Sequence, residues 1–117
     1  MDDQFNGAAA PAAAVANKPA DRITINLRKS VIANGDETMQ LVFREPTAGD
    51  IERCGNPVLI DMAIDPPRIS FDTKSMTQMM AVLAIVPPST IRQMHTKDWE
   101  TAAWRLAPFF LPDLLTN

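Results

Sequence analysis

Apolar and polar residues alternate with period two from Ile23 to Leu27 and again from Met39 to Phe43; past Asp72 the spacing becomes helical. The two alternating runs predict half-buried strands. Asn34-Gly35 lies between them and marks a hairpin. Parity bears on its register. A loop of Asn34 and Gly35 alone pairs Leu27 with Val42, which puts the two apolar sets on opposite faces. A three-residue loop, Ala33-Asn34-Gly35, reunites them, with Leu27 opposite Leu41 and Ile25 opposite Phe43. That is the register predicted, with Gly35 left-handed in a bulged type I turn.

Pro46 ends the second strand, since it lacks an N–H and pushes Glu45 away from helical geometry. Thr47 is then placed to cap a two-turn helix ending at Cys54, with Asp50 reaching back in a capping box. Gly55 fits a left-handed exit. In the segment from Asn56 to Phe71, Val58-Leu59-Ile60 reads as a third strand or a buried turn. Asp65-Pro66-Pro67 breaks whatever precedes it, and Arg68 to Phe71 reads as extended.

Asp72 or Thr73 is the expected cap of a second helix, Lys74 to about Val86. Met76, Met79, Met80 and Leu83 recur there at i, i+3, i+4 and i+7. Val82, Ile85 and Val86 widen the apolar surface beyond one stripe, so this helix is either buried or covered by a partner. Pro87-Pro88 stops it. A short third helix starting at Pro88 or Ser89 turns Ile91 and Met94 inward. Thr96 is the expected cap of a fourth, whose inner face is Trp99, Ala102, Ala103 and Leu106, extended by Phe109 and Phe110. Pro108 predicts a kinked or 3₁₀ last turn. The elements make an α+β fold, an N-terminal antiparallel β-hairpin packed on three to four short α-helices.

Composition narrows the function. The chain has 117 residues, enough for one domain. Residues 1–22 are rich in Ala, with Pro11 and Pro19, and read as a disordered arm; 23–117 read as a single small domain. The Met-Asp-Asp start is not basic and no Leu-rich run follows it, so no secretory signal is expected. No segment has the roughly eighteen apolar residues of a membrane span. The net charge of −3 suits a soluble cytoplasmic protein and speaks against a nucleic-acid module. One cysteine, Cys54, excludes an internal disulfide.

Candidate chemistry is sparse. His95, the only histidine, has no converging ligands in sequence and reads as a turn residue. Asp61 and Asp65, at i and i+4, admit a carboxylate pair, but an Asp beside proline is commonly a turn residue. Four scattered glycines make no phosphate loop. Arg44-Glu45 suggests a cross-strand or strand-to-helix ion pair. Met76, Met79 and Met80 admit two readings, a filled core or an adaptable apolar binding edge. Trp104 lies five positions from Trp99 and off its stripe, which marks it as exposed or partner-covered.

Ile23 to Leu27, then Gly35, then Leu41-Val42-Phe43-Arg44-Glu45-Pro46-Thr47-Ala48-Gly49-Asp50 resembles the small tail assembly chaperones of contractile-tailed, Mu-like phages and prophages. Met80 to Pro88 followed by Ser89-Thr90-Ile91 is similar to that family's apolar helix ending in a double proline. Asp98 and the Phe109-Phe110 pair are similar to its last helix. The resemblance covers about residues 23–111. It implies a non-enzymatic role without a cofactor: binding the tape measure protein, with the tail tube protein as a further possible partner, in the host cytoplasm and outside the mature virion. The contact residues expected are Met76, Met79, Met80, Trp104, Phe109 and Phe110. A nearly all-round apolar second helix makes a homo-oligomer plausible. A structural tail or baseplate component is the alternative, and a small DNA-binding regulator, disfavoured by the acidic balance, is a third.

Overall fold

A computed structural model of the chain describes residues 22–112. The arm expected at 1–22 therefore lies outside the described residues, apart from Arg22, which opens the first strand. The last five residues of the tail also lie outside them. Strands β1 (Arg22–Ala33) and β2 (Asp36–Arg44) form the expected antiparallel hairpin. α1 is Ala48–Cys54. A second hairpin follows, β3 (Val58–Asp61) with β4 (Arg68–Phe71), and then α2 (Thr73–Ala84), α3 (Pro88–Arg92), α4 (Thr96–Leu106) and a 3₁₀ turn over Ala107–Phe110. The fold is α+β.

The first hairpin departs from the predicted register in two linked ways. Its loop is Asn34-Gly35 alone, both residues at positive φ (53° and 89°), as a type I′ turn requires. The strands would then be out of phase, but a bulge corrects them. Four residues, Leu27 to Ser30, oppose the single Met39, because the pairing jumps from Val31↔Thr38 to Asn26↔Gln40. The odd number of extra residues restores parity. Ile25 faces Leu41 and Ile23 faces Phe43, in place of the expected Leu27–Leu41 and Ile25–Phe43 pairs. The common apolar face was foreseen; the pairing that makes it was not. Met39, opposite the bulge, is exposed despite its place in the alternation.

The inner face of this hairpin, Ile23, Ile25, Leu27, Val31, Leu41 and Phe43, packs against α2 and α4. Each such side chain contributes about 1.5–3 kcal/mol by leaving water. The free edge of β1 is closed by α3. Ile32 donates its N–H to Gln93 Oε1 at 2.8 Å and accepts from Thr90 Oγ1 at 2.6 Å, so both outward backbone groups are paired.

Helix boundaries largely follow the caps. Thr47 accepts from Asp50 N, and Asp50 Oδ2 accepts Thr47 N–H at 2.8 Å, a complete capping box. Gly55 has a positive φ of 83° but an extended ψ of 165°, not the left-handed exit expected. Asp72 caps α2 through Ser75 N. α2 closes two residues short of Val86 because Ile85 turns left-handed. The cap of α4 is His95, not Thr96. Its Nδ1 accepts the Lys97 N–H at 3.0 Å, which makes Thr96 the first helical residue. Pro108 sits in the 3₁₀ turn, as anticipated.

Within Asn56 to Phe71, Val58-Leu59-Ile60 is a strand and not a buried turn, and it pairs with the extended Arg68–Phe71 in a two-stranded ribbon. Val58, Ile60, Ile69 and Phe71 share one face and Leu59 and Ser70 the other. Asp72 N–H donates to the Pro57 carbonyl at 2.9 Å and closes its base.

Candidate partner-binding surface

α4 carries the surface with the most unusual chemistry. Trp99, half-buried, donates Nε1–H to Thr77 Oγ1 at 3.1 Å and so ties α4 to α2. Five positions on, Trp104 points elsewhere and is 54% exposed. Phe71, at the end of the ribbon, meets both rings edge-on, with centroids at 6.4 Å from Trp99 and 4.8 Å from Trp104. Such pairs add about 0.5–1.5 kcal/mol beyond area burial. Phe71 therefore sets the orientation of Trp104 while much of its surface stays open. Beside Trp104 is an open cleft of about 400 Å³, lined also by Arg28, Lys97, Glu100, Thr101 and Arg105. Lys97 and Arg105 have no carboxylate within ion-pair distance among the described residues.

The other anticipated contact residues are placed differently. Met76, Met79 and Met80 are 0% exposed and fill the core between the hairpin and the helices. The methionine edge is turned inward because α2 is covered from several sides, by β2, α1 and α3. Of the aromatic pair, Phe110 is buried and Phe109 half-buried. Trp104 is thus the member of the set that the fold leaves open, and no single surface gathers all six residues. Phe71, Arg28, Lys97 and Arg105 were absent from the sequence-derived set. Their signal was faint: apolar alternation at Ile69 and Phe71, and basic residues that converge only once α4 crosses β1.

The ionised groups with defined partners hold the molecule's own elements. Arg44 grips Asp50 with two hydrogen bonds, at 2.8 and 3.1 Å, the strand-to-helix pair anticipated for that position. The Arg44 guanidinium, and after it the Thr47 N–H, holds the Asp50 carboxyl well below the usual carboxylate range. Burial pushes the half-buried Cys54 thiol up, which favours the unreactive protonated form. Asp61 is the last residue of β3 and not a turn residue as expected, though its Oδ1 accepts the Ala63 N–H at 3.0 Å as the chain turns. Among the described residues no cluster of three or more His, Cys, Asp or Glu side chains is arranged to hold a metal, and no helix is long and apolar enough to cross a membrane.

Fold and surface together define a small α+β domain whose buried carboxylates brace its own elements and whose aromatic and cationic surface is open. The family model of phage tail assembly chaperone proteins, described as "E, or 41 or 14", matches residues 24–111. The chain belongs to that phage tail assembly chaperone family. No curated protein and no solved structure shows a significant match.

Proposed function

We propose that the protein binds the tape measure protein in the host cytoplasm and keeps it soluble until tail tube subunits enclose it. The role is non-enzymatic, and the protein leaves before the virion is complete. The observation that carries this reading is the open face of Trp104 beside a cleft edged by cations, in a chain of the tail assembly chaperone family. A tape measure chain presents long apolar helical stripes. An exposed tryptophan supplies a large, stiff apolar contact for such a stripe, and Lys97 and Arg105 supply charge at its rim. Phe109 continues as a half-buried neighbour in sequence. Met76, Met79 and Met80 take part only if the core opens.

Co-expression with the tape measure protein tests this directly. The expected result is a soluble complex that purifies together, with the tape measure protein insoluble alone. Mass spectrometry of finished particles should lack this chain. Stoichiometric presence in particles would instead support a structural tail or baseplate component.

A further inference from the structure

α2 exits through a conformation that its capping residue resists. Ile85 has φ 58° and ψ 51°. Glycine is usual at such a helix exit, because any Cβ is crowded there and a branched one more so. The exit is held by Val86 N–H on the Ala81 carbonyl at 3.0 Å, and by Asn34 Nδ2 on the Ile85 carbonyl at 3.4 Å. Burial does not offset the strain, because Ile85 is 75% exposed. Its side chain is displayed at an open groove of about 550 Å³. Val82, Val86 and Pro87 continue the apolar wall, and Arg44 and Arg53 also line the groove. Both cations share one carboxylate, Asp50: Arg44 holds it at 2.8 Å and the more exposed Arg53 lies 3.8 Å from it, so the groove keeps one net positive charge.

The matching chemistry is on the same chain. β3 ends at Asp61, paired in the ladder with Arg68, and the chain runs on through Met62-Ala63-Ile64-Asp65. Met62 and Ile64 are both exposed, Met62 at 59%. Neither flanking aspartate has a cation within ion-pair distance among the described residues. The segment thus offers two apolar side chains between two carboxylates, and the groove offers an apolar wall beside a net positive charge.

We propose that the groove beside Ile85 receives the Asp61–Asp65 loop of a second copy of this chain. Met62 and Ile64 lie against Val82, Ile85 and Val86, and the loop carboxylates face Arg53, the more exposed of the two cations. Loop and groove are different surfaces, so the contact is head-to-tail, and copies extend into a chain or close into a ring. It engages neither Trp104 nor its cleft, so it stands whether or not the tape measure reading holds.

Sedimentation of the full chain over a range of concentrations, at about 50 and 500 mM salt, tests it. Association should appear and should weaken with salt. Ile85→Gly relieves the strain and removes the contact. It should melt about 4 °C higher yet associate at least about tenfold more weakly. Met62→Ser/Ile64→Ser should weaken association similarly. Mixing the two variants should restore one-to-one pairing, since one keeps the loop and the other the groove. A chain monomeric at every concentration overturns the proposal. So does wild-type association of Ile85→Gly, or failure of the mixture to pair. Loss of tape measure binding in Ile85→Gly with a monomeric wild type would assign the groove to that partner and also overturn it.

Discussion

The carboxylate of Asp98, in the first turn of α4, accepts the backbone N–H of Arg28 at 2.9 Å across a sequence separation of 70 residues. The Lys29 N–H adds a longer bond at 3.4 Å, and Arg28 Nε lies 3.3 Å from the other oxygen. The bulge that sets the hairpin's parity leaves these two amides without partners in β2, and a buried side chain on a helix completes them. Asp98→Ala should therefore cost about 1.5–3 kcal/mol, the worth of hydrogen bonds to a charged acceptor. Asp98→Asn keeps one acceptor oxygen and should cost less. Urea unfolding midpoints of the three proteins check the order.

Asp50 ties acid sensitivity to the strand–helix junction. Its carboxyl is depressed in the folded state by Arg44 and the Thr47 N–H. A depressed carboxylate favours folding above its unfolded value near 3.9, and that contribution is lost as pH falls through the folded value. Wild-type stability should drop between about pH 5 and pH 2. Asp50→Asn should start lower at neutral pH and fall less over that range. Urea titrations at several pH values measure both slopes; parallel curves would contradict the assignment.

Met79 probes the core. Met79→Ala should cost about 2–5 kcal/mol, because the site is enclosed and relaxes only in part. Calorimetry should show a matching loss of melting temperature. Partner affinity measured well below that temperature should change little, since the side chain is out of reach in the folded state.

Trp104 should behave in the opposite way. Trp104→Ala gives up its edge contact with Phe71, about 1 kcal/mol, but should weaken tape measure binding about thirtyfold or more. Binding isotherms beside thermal melts separate the two effects. Losses of equal size in both would assign Trp104 to the fold alone.

Local chemistry made much of the architecture readable before any coordinates. Thr47, Asp50 and Asp72 act within a few residues of themselves, and the Pro46 and Pro87-Pro88 breaks need no partner. The candidate surface was less readable. Trp104 stood out because it leaves its own helix stripe, but the cations around it come from β1 and α4. The methionines could not be assigned from periodicity, because a stripe of the same spacing serves a core or a groove.

The sequence by itself determined the first hairpin's two strands, the caps at Thr47 and Asp72, the proline breaks, that the hairpin's apolar sets share a face, and that Pro108 tightens the last turn, since steric and capping effects act over a few residues. Only the tertiary structure decided the rest. The parity solution needed Asp98, 70 residues away, to satisfy a bulge. The inward turn of Met76, Met79 and Met80 needed cover from several elements at once. The left-handed Ile85 reverses the usual glycine preference, with Asn34 of the hairpin turn bonded to its carbonyl. Each depends on groups distant in sequence that meet only when the chain is folded.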